Sequence, residues 1–161
     1  MIYRTAGQED YKKIIEMKNR VKQRIIEANL PMWLNGYPKD EYIFEDITCS
    51  YGRVIELNGK IVGYAVLYPS YVEYENEIDN INDLYSFGRV MVDDGYTGMG
   101  IGKFLVTSMI NEAKENNQKG MLITGDDFNI KAMNLYKGLG FVKIGEKQFS
   151  YAYLSIFKLL F

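Results

Sequence analysis

The sequence predicts an α/β protein built on a mixed β-sheet, and three observations support this fold class. Short β-branched runs alternate with longer segments whose apolar residues recur at helical spacing. Asn58-Gly59 separates two strand-like runs, which is typical of a two-residue antiparallel hairpin. Near residue 100 a strand, one helix and another strand follow each other, an order that favours a right-handed parallel crossover. The sheet is therefore expected to contain both antiparallel and parallel neighbours.

Periodicity and turn residues place the elements along the chain. Glycine and proline interrupt residues 29–38, so the backbone there is expected to be irregular. The expected elements are, in order, a strand over residues 2–6, helices over 8–28 and 39–47, hairpin strands over 52–57 and 60–68, a strand over 84–92, a helix from Ile101 that frays near Asn116-Asn117 and stops at Gly120, a strand over 121–124, a helix opened by Asn129, and strands over 141–147 and 151–160.

Size and composition indicate a single domain over residues 1–161. Of the 161 residues, 47% are hydrophobic, which suffices for one core. The formal charge of −2 lacks the basic excess of a nucleic-acid-binding protein, so nucleic acid is not an expected partner. The chain has no histidine, and Cys49 is its only cysteine. Ser-His-Asp and Cys-His chemistry, an internal disulfide and a cysteine-rich zinc site are thereby excluded, and no metal is expected.

Targeting signals do not stand out in the sequence. The first ten residues lack the basic and then apolar pattern of a secretory signal. The most apolar run, residues 61–68, is too short to span a bilayer. A cytoplasmic protein without a membrane partner is therefore expected by elimination.

A glycine-rich turn joins the strand over residues 84–92 to the next helix. It reads Thr97-Gly98-Met99-Gly100-Ile101-Gly102 and is followed by Lys103. The N–H groups at a helix start lie at the positive end of the helix dipole and can hold an anion such as a pyrophosphate. The alternative is a tight turn whose glycines serve close packing only.

Spacing excludes two other phosphate-binding loops. A Walker A loop would need a glycine in place of Thr97 and a hydroxyl in place of Phe104. A GxGxxG dinucleotide motif would need its last glycine in place of Lys103 or Leu105.

A second pattern follows downstream, with Asn129 at the expected helix start. Ala132, Leu135 and Tyr136 share one face of this helix, because they lie three or four residues apart. Gly138 or Gly140 is expected to end the helix before Phe141 begins a strand.

The two patterns together resemble the GCN5-related N-acetyltransferases (GNAT). The glycine turn resembles the pyrophosphate loop of that family, usually written Arg/Gln-x-x-Gly-x-Gly/Ala, with Thr97 in place of the usual Arg or Gln. The second pattern resembles the family segment Asn-x-x-Ala-x-x-Leu-Tyr followed by Gly-Phe, at the expected distance downstream. The resemblance covers nearly the whole chain, and residues 33–46 also resemble a branch of small bacterial members. It implies the GNAT fold, a mixed and mostly antiparallel sheet split at a parallel pair and flanked by helices.

The resemblance implies an N-acetyltransferase that transfers the acetyl group of acetyl-CoA directly to an amine of a small molecule or peptide. Met91 and Val92 would offer strand backbone to the pantetheine and thioester, and the glycine loop would bind the pyrophosphate. The expected coenzyme contacts are Met91, Val92, Thr97, Gly98, Met99, Gly100, Ile101, Gly102, Lys103, Asn129, Ala132 and Tyr136. Asn129 would anchor either the coenzyme or the helix start, and Lys131 or Lys137 could also meet phosphate.

Tyr136, at the family's tyrosine position, is the candidate acid for the leaving thiolate, and an aromatic cap on the coenzyme is the alternative. An amine with a pKa near 10 must lose a proton before it attacks. Without histidine, the base is a carboxylate or a water chain. The candidate carboxylates, which the sequence does not rank, are Glu73, Glu75, Asp93, Asp126 and Asp127.

The acceptor site has two candidate features. Trp33 and Tyr37 could form a wall of the acceptor pocket, although Trp33 could equally be a core plug under its loop. Residues 71–83 hold five acidic residues and no basic one, which indicates either a solvated loop or an electrostatic funnel for a cationic amine. A non-catalytic acyl-CoA-binding domain and a transferase of longer acyl groups remain alternative functions, and a homodimer is left open.

Overall fold

A computed structural model describes residues 1–69, 78, 80–150 and 152–161 of the chain. Most of the acidic segment falls outside these residues. The two candidate bases Glu73 and Glu75 therefore also lie outside the described part of the chain.

Strands and helices follow the order that the sequence predicts. They are β1 (Ile2–Thr5), α1 (Tyr11–Glu27), α2 (Asp40–Thr48), β2 (Gly52–Leu57), β3 (Lys60–Tyr68), β4 (Leu84–Val92), α3 (Ile101–Glu115), β5 (Gly120–Gly125), α4 (Ile130–Gly138), β6 (Val142–Gln148) and β7 (Tyr153–Leu160). Short 3-10 turns, Gln8–Asp10 and Ile81–Asp83, precede α1 and β4. None of the described helices is long and apolar enough to cross a lipid bilayer.

The seven strands form one mixed sheet in the order β1-β2-β3-β4-β5-β7-β6. The pairs β1–β2, β2–β3, β5–β7 and β6–β7 are antiparallel. Strands β4 and β5 pair in parallel, from Leu84 opposite Gly120 to Phe87 opposite Ile123. Asn58 and Gly59 both have positive φ, 50° and 75°, as a type I′ hairpin turn requires. The predicted fold class, hairpin and parallel crossover are thus confirmed.

The predicted fraying of α3 near Asn116-Asn117 is confirmed, whereas the predicted stop at Gly120 is wrong. The helix ends at Glu115, and Asn117 adopts the left-handed conformation, with φ 59°, that commonly follows a helix. Gly120 instead begins β5, where an added Cβ would lie 2.2 Å from the carbonyl oxygen of Leu159. This glycine is required by the close approach of β7, which the local sequence does not reveal.

The chain divides into two compact units, each built from separate stretches of sequence. The first unit contains Met1–Val66 and Arg89–Val106, and the second contains Leu67–Gly88 and Thr107–Phe161. The single-domain organisation stays a prediction.

The core of the first unit lies between α1, α2 and the strands β2, β3 and β4. Apolar residues recur along α1 at three- and four-residue spacing, which directs one face of the helix to the sheet. The buried members of this core are Ala6, Ile14, Met17, Val21, Ile25, Ile43, Ile47, Val54, Ile61, Tyr64 and Met91.

Two apolar clusters lie among the described residues of the second unit. One consists of Ile78, Ile81, Leu84, Leu122, Phe149, Leu154 and Ile156. The other joins the aromatic rings of Phe87, Tyr136 and Phe141, whose centroids lie 5.7 to 6.1 Å apart. The aromatic cluster fixes α4 on β4, and it thereby positions Tyr136.

Candidate active site

The glycine loop after β4 folds into successive tight turns. The N–H of Tyr96 donates to the carbonyl oxygen of Asp93 at 3.1 Å. Gly95, Gly98 and Gly100 have φ values of 83°, 82° and 80°, a region that is costly for any residue with a Cβ. An added Cβ at Gly98 or Gly100 would meet nothing within 4 Å. The backbone conformation therefore requires these glycines, and open space lies beside them.

Helix α3 begins directly at the end of this loop. The N–H of Phe104 donates to the carbonyl oxygen of Gly100 at 2.9 Å, which is the first i to i−4 bond of the helix. The N–H groups of Ile101, Gly102 and Lys103 precede that bond and have no carbonyl partner earlier in the helix. Three such N–H groups at the positive end of the helix dipole fit a pyrophosphate.

The side chain of Ile101 anchors the start of this helix. It is buried, and an added Cβ at Gly63 in β3 would lie 3.0 Å from Ile101 Cγ2. Gly63 thus leaves the space that α3 needs beside β3. Only the backbone of Ile101 is available to a ligand, whereas Thr97, Met99 and Lys103 are exposed.

The end of β4 offers backbone rather than side chains. Met91 is buried in the core of the first unit, and the carbonyl oxygen of Val92 accepts a hydrogen bond from Arg24 Nη2 at 3.3 Å. Two residues before Met91, Arg89 has a φ of 50°, an uncommon conformation for a non-glycine residue inside a strand. The extended backbone of β4 is therefore interrupted at Arg89, two residues before the first residue that is predicted to contact the thioester.

Asn129 opens α4, as the sequence predicts. Its Oδ1 accepts a hydrogen bond from the N–H of Ala132 at 3.2 Å, which is the geometry of a helix N-cap. Asp126 Oδ1 accepts a hydrogen bond from the N–H of Phe128 at 3.0 Å in the preceding turn. The Asn129 side chain therefore stabilises the helix start, while Lys131 and Lys137 are exposed.

Tyr136 is buried on the inner face of α4, with 4% of its surface exposed. Its ring lies edge-on to Phe87, with centroids 5.7 Å apart and planes at 82°. Burial raises the pKa of the Tyr136 hydroxyl far above its ordinary value, because the phenolate would lose its hydration. Tyr136 is therefore a neutral hydrogen-bond donor at any ordinary pH.

The remaining candidate bases are engaged in local interactions. Both carboxylate oxygens of Asp93 accept hydrogen bonds from Arg20, at 2.8 and 2.9 Å. Asp127 Oδ1 accepts a hydrogen bond from the hydroxyl of Ser155 at 2.8 Å, and its Oδ2 lies 3.6 Å from Lys143 Nζ. The identity of the base stays open.

An aromatic and charged cluster, which we call the Arg89 cluster, lies beside the loop between α1 and α2. Its members are Trp33, Tyr37, Tyr42, Asp46, Tyr64 and Arg89. The Arg89 guanidinium carbon lies 5.4 Å from the ring centroid of Tyr42 and 5.9 Å from that of Tyr37. Trp33 is half-buried, packs against the core of the first unit and contacts Tyr37 edge-on at 6.4 Å.

Sequence reasoning found Trp33 and Tyr37 but missed the charged members of the Arg89 cluster. Asp46 is 3% exposed and accepts a hydrogen bond from the Tyr64 hydroxyl at 2.8 Å. Its Oδ2 also lies 3.6 Å from Arg89 Nη1. One signal was present, since Arg89 is a charged residue within an apolar strand and therefore needs a partner.

The predicted coenzyme contacts fall into two groups. The residues from Met91 to Lys103 belong to the first unit, and Asn129, Ala132 and Tyr136 belong to the second. Among the described residues, no group of three or more histidine, cysteine, aspartate or glutamate side chains could hold a metal ion.

Known proteins are similar to this chain in sequence. The model of the acetyltransferase (GNAT) family matches residues 21–141. The spermine/spermidine N(1)-acetyltransferase of Bacillus subtilis (strain 168) is 31% identical over 105 residues, which cover 63% of this chain and 67% of that protein.

Solved structures share the fold. A GNAT acetyltransferase of Streptococcus agalactiae superposes with a TM-score of 0.85 at 18% identity, over 99% of this chain and 94% of the other. YncA of Salmonella typhimurium, solved with its cofactor acetyl-CoA, superposes with a TM-score of 0.69 at 20% identity, over 99% of this chain and 93% of the other.

Proposed function

Since the chain belongs to the acetyltransferase (GNAT) family, we propose that it is an acetyl-CoA-dependent N-acetyltransferase whose acceptor is a small polyamine-like cation. The main support for this proposed activity is the glycine loop at the start of α3. Its backbone N–H groups, held open by positive φ at Gly98 and Gly100, form a site for the pyrophosphate of the coenzyme.

Bound acetyl-CoA supplies an activated acetyl group, as a thioester that an amine can attack directly. The N–H groups of Ile101, Gly102 and Lys103 bind the pyrophosphate and thereby fix the position of the coenzyme. The backbone of Met91 and Val92 would offer hydrogen bonds to the pantetheine and the thioester carbonyl. Following the family pattern, Tyr136 would be a neutral hydroxyl donor to the departing sulfur and would supply the proton that the thiolate takes up.

The choice of a polyamine acceptor rests on sequence similarity and on the Arg89 cluster. The Bacillus subtilis relative is a spermine/spermidine N-acetyltransferase that shares 31% of the aligned residues. The guanidinium of Arg89 lies over the rings of Tyr37 and Tyr42, and Asp46 offsets its charge at 3.6 Å. Aromatic rings that are not taken up in this way can attract the ammonium groups of an acceptor. Trp33 extends this aromatic surface, and we infer that the acceptor chain lies along it.

An acceptor panel tests the proposal. The protein is incubated with acetyl-CoA and, separately, with spermidine, spermine, a lysine peptide and a peptide with N-terminal alanine, and the free thiol is followed. We expect kcat/KM to be highest for the polyamines. Faster turnover of a peptide amine would show that the acceptor is a peptide rather than a polyamine. Coenzyme binding without turnover of any amine would favour a non-catalytic acyl-CoA-binding domain. Succinyl-CoA, tried as a second donor, should react more slowly if the acyl site is sized for two carbons.

The cytoplasmic location is a further prediction, which rests on the sequence alone, and a homodimer is left open.

A further inference from the structure

Two acidic residues stand at the start of the proposed pyrophosphate loop, where they should repel a phosphate. Asp93 and Asp94 directly precede Gly95, and the turn closed by the Tyr96 N–H brings Asp93 next to the loop. The phosphates of coenzyme A are negatively charged. An unpaired carboxylate so close to them would weaken binding, because like charges repel over roughly 10 Å at moderate salt.

Helix α1 places one arginine on each of these acids. Arg20 holds Asp93 with two hydrogen bonds, Nε to Oδ1 at 2.8 Å and Nη2 to Oδ2 at 2.9 Å. Arg24 forms an ion pair with Asp94. The two arginines lie four residues apart, so they share one face of α1. The same face of α1 therefore pairs an arginine with each of the two carboxylates.

Backbone bonds fix the orientation of these acids as well. The N–H of Asp93 donates to the carbonyl oxygen of Val62 at 3.0 Å, and the N–H of Asp94 donates to Asp93 Oδ1 at 2.9 Å. The second nitrogen of Arg24, Nη2, donates to the Val92 carbonyl at 3.3 Å. The arginine face of α1 therefore contacts the last residue of β4 and both acids of the loop.

Asp93 is 13% exposed, so its pair with Arg20, which is 48% exposed, also serves stability. The Arg24–Asp94 pair is less protected, since its side chains are 39% and 43% exposed. Ion pairs between exposed side chains are screened by water and salt, and they usually stabilise a fold very little. The electrostatic potential at the neighbouring loop is a separate effect, because the ligand there is multiply charged.

We propose that Arg20 and Arg24 are positioning residues that neutralise Asp93 and Asp94, so that the glycine loop can bind the phosphates of coenzyme A. The inference rests on the proposed function of that loop. Two other roles make different predictions. In the first, which we call a clip, the arginines would only hold the loop in its shape through their hydrogen bonds. In the second, a direct contact, the arginine side chain would itself bind the phosphate.

Calorimetry with free coenzyme A measures the effect. We expect Arg20→Gln and Arg24→Gln each to raise the dissociation constant roughly fourfold at low salt, which is what Coulomb's law gives if the carboxylate is taken to lie about 10 Å from a doubly charged anion in a water-like medium. High salt should shrink this difference. Lys12→Gln is the matched control, because it removes one positive charge from an exposed position of the same helix and should leave the dissociation constant unchanged.

Removing the acids separates the three roles. Asp94→Asn, an exposed substitution, should tighten coenzyme binding, because it leaves Arg24 without a counter-charge beside the loop. In the Arg20→Gln background, Asp93→Asn should restore most of the lost affinity. A clip or a direct contact predicts no restoration, since the second substitution returns neither the bidentate bonds nor the arginine.

The outcomes are distinguishable. Wild-type affinity in both arginine variants overturns the inference and leaves the proposed function intact. Weak binding that Asp93→Asn does not restore also overturns it, in favour of a clip or a direct contact. If the wild-type protein itself does not bind coenzyme A, the proposed function and the inference fail together.

Discussion

The guanidinium of Arg89 lies 3.6 Å from Oδ2 of Asp46, and the same oxygen accepts a hydrogen bond from the Tyr64 hydroxyl. All three side chains are largely buried. We expect Asp46→Ala to lower the free energy of unfolding by about 3–5 kcal/mol, because it removes one partner of a buried ion pair and the acceptor of the Tyr64 hydrogen bond. Tyr64→Phe removes one hydrogen bond to a charged group and should cost about 2 kcal/mol. Urea unfolding measures both, and equal costs for the two variants would contradict this assignment.

Replacement of Tyr136 by phenylalanine separates its two candidate roles. The ring contacts with Phe87 and Phe141 remain, and only the hydroxyl is lost. If Tyr136 protonates the leaving thiolate, kcat should fall by roughly a hundredfold or more, while the dissociation constant of coenzyme A stays within about twofold. An aromatic cap would instead leave kcat near the wild-type value.

Alkaline pH should destabilise the fold in part through Tyr136. Burial holds its pKa above the ordinary value near 10, so the folded state keeps a proton that the unfolded state has lost at high pH. Its contribution is fully present below about pH 10, and stability is lost as the pH rises further, by at most about 1.4 kcal/mol per pH unit. The difference in unfolding free energy between wild type and Tyr136→Phe should therefore fall above pH 10. A constant difference up to pH 11 would contradict the burial of this hydroxyl.

Alanine in the glycine loop should weaken coenzyme binding. Gly98 and Gly100 have positive φ, and a Cβ there costs about 1–2 kcal/mol in backbone strain even where space is open. Strain that rearranges the loop moves its N–H groups away from the pyrophosphate. We expect Gly100→Ala to raise the dissociation constant of coenzyme A at least tenfold.

Gly145→Ala is the control for this change. An added Cβ at Gly145 in β6 also meets nothing within 4 Å, and its φ lies outside the left-handed region. Coenzyme affinity should stay at the wild-type value. Equal affinity in Gly100→Ala and Gly145→Ala would show that the loop conformation is not what binds the coenzyme.

The cap at the start of α4 should be measurable on its own. Asn129→Ala removes the acceptor of the Ala132 N–H and should cost about 1 kcal/mol of stability. Asn129→Asp keeps an acceptor at this position and should stay close to the wild type. If Asn129 also contacts the coenzyme, both variants lose affinity, whereas a cap alone predicts similar affinity in wild type and Asn129→Asp.

Local patterns predicted the parts of the site that depend on neighbouring residues. The glycine loop requires positive φ within a few residues, and Asn129 caps its own helix, so both are visible in short stretches of sequence. Asn58-Gly59 predicted its hairpin for the same reason.

Features set by distant residues were not predictable in this way. Gly120 was assigned to a helix end, although the approach of Leu159 from β7 explains it. Arg89 finds its partner Asp46 on another element, and its positive φ has no local signature. The pairing of Arg20 with Asp93 likewise joins residues far apart in the chain, so neither motif suggested it.

The central claim is acetyl transfer to an amine, and a single incubation tests it most directly. The protein, acetyl-CoA and spermidine are mixed, and free coenzyme thiol and acetylated amine are quantified together by mass spectrometry. We predict equal amounts of thiol and monoacetylated spermidine, formed at a rate proportional to the protein concentration. Binding of coenzyme A, with neither product formed from spermidine or any other amine, would contradict the assignment as an N-acetyltransferase.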